Sequence, residues 1–188
     1  MKCNKIALAT ALVLGLGAAG SASAETGLIT FTGSVTDGTC VVSGGTGTDG
    51  GTTNFTVALE AAEASDLAAA GSTAQRKDFQ VVFSDGNGGA CAAALTSVDF
   101  SYSASSPNVN TNGRLRNILT AAQQAATNVD LQILDGTTPV DLTQGTVKNI
   151  TLSRTGPTIT TYGVQYFATG AATVGGVRSN VIYNAVYN

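Results

Sequence analysis

Beyond residue 24 the chain is written in short runs in which apolar and polar residues alternate, most of them closed by Gly, Asn, Asp or Pro. Alternation with period two places one set of side chains on each face of an extended strand. The pattern predicts nine strands: Ile29–Val35, Cys40–Ser43, Asn54–Leu59, Asp78–Phe83, Ser97–Tyr102, Asn128–Leu134, Val147–Ser153, Thr160–Thr169 and Val181–Tyr187. Asp85-Gly86-Asn87-Gly88-Gly89 and Asp135-Gly136 read as turns, because Gly and Asn adopt positive φ at little cost. Many short strands between turn signals imply an all-β antiparallel sandwich. Two stretches break the rhythm. Glu60–Ala70 is rich in helix formers and predicts a short helix or turn, and Asn117–Ala126 predicts a helical turn or an irregular connection.

The first of these strands has an unusual position. Lys2 and Lys5 are followed by the apolar run Ile6–Leu16 and by Ala22-Ser23-Ala24, the order of a secretory signal cut after Ala24. Removing residues 1–24 of the 188 leaves 164, a length suited to one domain. The new N-terminus is then an amphipathic strand in which Ile29, Phe31, Gly33 and Val35 share one side and Thr30, Thr32 and Ser34 the other. Such a strand needs a sheet to join, its own or a neighbour's.

Composition narrows the chemistry. No His is present, which removes the commonest general base and metal ligand and any Ser-His-Asp or Cys-His arrangement. A carboxylate pair would lack the aromatic platform of a sugar cleft, since there is no Trp and aromatic residues are 6% of the chain. Glu60, Glu63 and Asp66 stand three apart, and a solvated face is the plainer reading than a catalytic or metal cluster. The processed chain carries seven basic and twelve acidic residues, a net charge of −5, with the basic ones scattered, so no nucleic-acid surface is indicated. Gly15–Gly20 fits GxGxxG but lies inside the signal, and the single Gly-rich stretch Ser43–Thr52 reads as a hairpin loop rather than a calcium repeat. Cys3 leaves with the signal, so Cys40 and Cys91 are an even pair in an exported chain and predict one disulfide. No enzyme, metal or cofactor role is expected.

Taken in order, these features resemble the subunits of chaperone–usher fimbriae, close to the type 1 pilin group, over the whole processed length. The run ITFTGSVTDGTC sets alternating apolar residues and Gly33 ahead of Cys40; GSTAQRKDFQVVF, from Gly71 to Phe83, precedes Cys91; Gly175 opens the last 14 residues, with Gly176 as its rival for the same role; and Tyr187 is penultimate. The absence of a further domain ahead of Cys40 points to a shaft or minor subunit rather than a two-domain adhesin.

The resemblance implies an incomplete immunoglobulin-like β-sandwich that lacks its last strand, with residues 1–24 as signal, 25–39 as a donor-strand extension and 40–188 as the pilin domain. It implies that Ile29, Phe31, Gly33 and Val35 enter a neighbouring subunit's groove, with Gly33 where backbones approach closely. It implies that Gly175, Val181, Tyr183, Ala185 and Tyr187 mark the accepting edge, which also meets a periplasmic chaperone together with the terminus at Asn188. Further partners would be copies of this chain or related subunits and an outer-membrane usher. The product would be a surface filament used in adhesion. A free-standing secreted β-sandwich binding module is the alternative.

Overall fold

The computed structural model describes residues 40–188. The expected signal, the strand at Ile29–Val35 and the contact residues Ile29, Phe31, Gly33 and Val35 lie outside the described residues.

Among the described residues nine strands form two antiparallel sheets: β1 (Val41–Gly44), β2 (Thr73–Ser84), β3 (Ser97–Tyr102), β4 (Leu115–Arg116), β5 (Val129–Asp135), β6 (Thr138–Pro139), β7 (Lys148–Thr151), β8 (Thr158–Ala168) and β9 (Tyr183–Tyr187). The larger sheet runs β1-β2-β8-β5-β4, with β6 paired to β5, and the smaller runs β7-β3-β9. Seven of the expected strands fall on observed ones within a few residues at their ends. β2 starts five residues early because its polar N-terminal part, Thr73–Lys77, continues past a bulge at Gln75 (φ 50°) to reach β8. β4 and β6 have two residues each, too few to show a period.

Asn54–Leu59 is a correction. Its alternation is real, since Phe55, Val57 and Leu59 are half-buried and Thr56 and Ala58 exposed, but it pairs with no strand among the described residues. The two helical candidates shrink to single 3-10 turns at Ala64–Leu67 and Ala121–Gln123. In the first, Leu67 is the one residue that buries fully, and an Ala-rich stretch offers no wider apolar stripe to dock a helix. Glu60, Glu63 and Asp66 are all exposed.

Face-to-face packing of the sheets explains the strand choice. Phe79, Val81 and Phe83 of β2, Val98, Phe100 and Tyr102 of β3, Leu131 and Ile133 of β5, and Tyr162 and Val164 of β8 point into one core. Phe100 is 1% exposed and touches Phe83, Tyr102, Tyr162 and Tyr183 with ring centroids 5.4–5.9 Å apart. Cys40 and Cys91 are bonded with their Cα atoms 4.9 Å apart, tying the start of β1 to the loop after β2 as their count predicted. Asp135–Thr138 makes the tight β5–β6 hairpin, with Gly136 at φ 60°.

Candidate functional site

Among the described residues β9 pairs with β3 alone. Asn188 and Ser97 exchange both main-chain bonds (2.9 and 3.2 Å), and the Ser103 N–H donates to the Ile182 carbonyl (2.8 Å). The antiparallel ladder alternates, so Val186 and Asn184 also face β3 while the main-chain groups of Tyr183, Ala185 and Tyr187 point the other way.

The same alternation continues upstream without a regular strand. The Gly176 N–H donates to Gln124 (2.8 Å) and its carbonyl accepts from Ala126 (2.9 Å); the Arg178 N–H donates to Asn117 Oδ1 (3.0 Å) and its carbonyl accepts from Ile118 (2.8 Å); the Ile182 N–H donates to Ser106 Oγ (2.8 Å). Asn180 Oδ1 accepts from Asn108 Nδ2. Even-numbered residues are thus held by the 106–126 segment and by β3. No hydrogen bond from the main chain of Val177, Ser179 or Val181 is made to any described residue. Arg114 steadies the supporting segment by pairing with buried Asp130 of β5 at 3.2 Å while lying over the Phe167 ring.

An eleven-residue edge from Val177 to Tyr187 therefore presents its odd-numbered backbone groups in one direction. The odd-numbered side chains are half-buried and the even-numbered ones exposed, so the side chains beside that free edge are Val177, Ser179, Val181, Tyr183, Ala185 and Tyr187.

Opposite this edge stands the 53–62 segment, whose main chain from Val57 to Ala62 also makes no hydrogen bond within the described residues. The Gly-rich hairpin aims it there. Ser43 and Thr52 bridge, the Gly44 N–H donates to Gly51 (2.9 Å), and Asp49 takes the Thr56 N–H at 2.9 Å and the Gly51 N–H at 3.1 Å on one carboxylate oxygen. Those main-chain bonds, Thr56 first, hold the Asp49 carboxyl below its ordinary range. The hairpin expected at Ser43–Thr52 is thus present and internally bonded.

Between the two walls lies a cavity of about 640 Å³, floored by Phe79, Phe100, Leu131, Ile133 and Val164. A second cavity of about 450 Å³ adjoins Leu59 and Val177 and is lined mainly by Ala and Val. Leu59 lines both, so the two cavities extend one groove along the edge. At its β9 end Tyr183 crosses the gap: its hydroxyl donates to the Thr53 carbonyl (2.6 Å) and its ring stacks on Phe55.

Gly175 and Gly176 anchor the far end, where Ala125 and Gly176 form a parallel bridge. A Cβ on Gly175 would meet Ala126 N at 2.4 Å and the Ala125 carbonyl carbon and Gln124 O at 2.6 Å, whereas one on Gly176 would meet the Leu119 Cδ1 methyl at 2.8 Å. Of the accepting-edge residues expected from sequence, Val181 and Tyr183 line the larger cavity and Gly175 the smaller, while Ala185 and Tyr187 continue the same edge. The sequence reading missed the wall at 53–62 as part of this site, and it missed Ser179. The signal for both was available: Phe55-Val57-Leu59 alternates, and Ser179 interrupts an otherwise apolar stripe.

The sequence is similar along nearly its whole length to curated proteins. It is 36% identical over 179 residues to the major fimbrial subunit SMF-1 of Stenotrophomonas maltophilia (strain K279a), covering 89% of this chain and 96% of that one. It is 33% identical over 184 residues to an F17 fimbrial protein of Escherichia coli, covering 93% and 96%. It is 28% identical over 193 residues to the type-1 fimbrial protein A chain of Escherichia coli (strain K12), covering 100% of both. No family model matches the chain. Two solved structures share the fold. One is a chaperone–usher pilus studied for rod uncoiling (TM-score 0.55, 17% identity, 87% of this chain and 96% of that one). The other is the P pilus rod subunit PapA (TM-score 0.52, 14% identity, 71% and 92%).

Proposed function

The chain belongs to the family of fimbrial subunits, and from that premise we propose that it is a structural, non-enzymatic subunit of a chaperone–usher fimbria that polymerises by strand donation. The observation that carries this reading is the free edge at Val177–Tyr187, facing the 53–62 wall across an apolar groove. An extended strand laid in that groove pairs with backbone groups that no described residue takes, and it covers Phe79, Phe100 and Ile133.

The donor is the N-terminal extension, residues 25–39, of a second copy or a related subunit. Lengths agree: at ~3.3 Å per residue the edge is roughly 36 Å long, and the ten residues Gly27–Thr36 reach roughly 33 Å. Ile29, Phe31 and Val35 fill the apolar positions, and Gly33, which has no side chain, takes the position where two backbones approach most closely. Donation from each copy to the next is a heterologous contact that does not close, so it builds a filament. Before assembly the same edge is covered by a periplasmic chaperone, which hands the subunit to an outer-membrane usher. The filament stands on the cell surface and serves adhesion.

The test is to purify the processed chain, add a peptide copying Gly27–Thr36, and follow thermal unfolding and fibre formation. The peptide should raise the melting temperature and cap polymerisation, and a Gly33→Leu peptide should do neither. A stable monomer indifferent to the native peptide, with its own N-terminal strand protected from exchange, would establish the free-standing module instead.

A further inference from the structure

Three buried side-chain oxygens have no hydrogen-bond partner among the described residues: Tyr102 Oη, Ser179 Oγ and Tyr187 Oη. All three belong to the groove or its edge, and Tyr102 and Ser179 line the larger cavity. Buried polar groups are normally satisfied, so a cluster of exceptions at one place needs a cause. Tyr102 is 7% exposed and Tyr187 is half-buried, each an aromatic whose ring supplies packing whatever its hydroxyl does. Ser179 differs. Its side chain is little more than the hydroxyl, and it stands between Val177 and Val181 on the face that borders the free edge. An alanine there would fill the same space without an orphaned polar atom.

Resting on the strand-donation reading above, we propose that Ser179 is a register-determining residue, whose hydroxyl bonds to the main chain of the inserted strand at its glycine. A serine hydroxyl both donates and accepts, so either an N–H or a carbonyl satisfies it. The inward residues of the extension, Ile29, Phe31, Gly33 and Val35, carry no polar side-chain atom, which leaves the backbone as partner. At three of those four positions the side chain shields the backbone, and at Gly33 nothing does. Register needs such a marker. A slip of two residues keeps every apolar side chain inward and changes only which position meets which. A single buried polar group in an apolar seam discriminates between such registers, as a lone asparagine does in a coiled coil.

The experiment is a double-substitution cycle on the processed chain. Binding of fluorescently labelled Gly27–Thr36 peptide and of the same peptide with Gly33→Ala is measured on the native chain and on Ser179→Ala. The variant folds at least as well as the native chain, because it loses a hydroxyl that has no partner. The native chain should prefer the glycine peptide, and Ser179→Ala should shrink that preference by about fivefold, the worth of one hydrogen bond. An equal preference in both chains overturns the proposal and leaves Gly33 needed for space alone. If neither chain binds either peptide, the strand-donation reading itself fails.

Discussion

Replacing Gly175 with Ala should be far more damaging than replacing the adjacent Gly176. The new Cβ on Gly175 would fall 2.4 Å from Ala126 N and 2.6 Å from both the Ala125 carbonyl carbon and Gln124 O, inside the 3.0 Å that Cβ contacts essentially never breach. All three atoms are backbone, so relief requires the two chain segments to separate. Separation stretches the Gly176–Gln124 and Ala126–Gly176 bonds, now 2.8 and 2.9 Å. Two hydrogen bonds at about 0.5–1.5 kcal/mol each, together with residual overpacking of about 1 kcal/mol, give a loss of about 2–4 kcal/mol. For a chain of this size that lowers the melting temperature by roughly 5–12 °C. At Gly176 the obstacle is the end of the Leu119 side chain, which can rotate away, so Gly176→Ala should cost less than about 1 kcal/mol. The assay is thermal unfolding of both variants as processed chains with saturating Gly27–Thr36 peptide, beside fibre counts by electron microscopy on cells. Equal losses for the two variants, or a larger loss at Gly176, would refute the account of how this end of the groove is held.

Phe100→Ala should lower stability by about 3–5 kcal/mol, since the ring is buried and joins both sheets, and chemical denaturation should show little or no folded variant. Reducing the Cys40–Cys91 disulfide, which closes a 51-residue separation, should cost roughly 4 kcal/mol in urea titrations, with Cys40→Ser and Cys91→Ser behaving alike. Alkali should unfold the domain. Burial pushes Tyr162 and Tyr187 up to about 12 and raises Tyr102 well above its ordinary value. Because the folded values are raised, their contribution is complete below pH 10 and is lost as pH climbs through the folded values, so tyrosinate absorbance and loss of circular dichroism should rise together. Asp49 behaves in the opposite sense: its folded value is depressed, so the carboxylate's hold on Thr56 persists above pH 3.8 and fails as pH falls further. Asp49→Asn should shift the Thr56 amide resonance at neutral pH and abolish its acid titration.

Where burial of one face sets the pattern, the sequence shows the structure plainly. Ser97–Tyr102 alternates strictly, and β3 occupies those six residues with Val98, Phe100 and Tyr102 inward. Cysteine pairing was equally legible, because only two of the three cysteines lie beyond the expected signal and two allow one bond. Edges are less visible, since hydrogen-bond partners leave no mark on side-chain period. Phe55, Val57 and Leu59 alternate as well as any strand here, yet their segment pairs with no strand among the described residues, because burial on one face does not supply a neighbour along the side. Conversely, Thr73–Lys77 is a strand by pairing with β8 although its side chains are mostly polar or charged and exposed. Gly175 and Gly176 were indistinguishable as letters and differ in backbone conformation, with Gly175 at φ 159°, and in what lies 2.4–2.8 Å beyond each missing Cβ.

The two alternations along the C-terminal edge carry different duties, and that division explains why this surface can remain open. Even-numbered residues from Gly176 to Asn188 anchor the edge to the 106–126 segment and to β3, so the free side keeps its shape without a partner strand among the described residues. Odd-numbered residues turn their backbone groups away from those supports and place their side chains against the core. The opposing wall is held by fewer ties, chiefly Asp49 to Thr56 and Tyr183 to Thr53, both near its start. From Val57 to Ala62 it makes no main-chain hydrogen bond within the described residues. One wall is therefore bonded along its length, and the other is tied at both ends, at Thr56 and at the Leu67 carbonyl that accepts from the Ala172 N–H (3.0 Å), with Phe55, Val57 and Leu59 packed on the core between. A strand laid in the groove can pair with the Val177–Tyr187 edge on one side and with the 57–62 main chain on the other, which would complete the sheet.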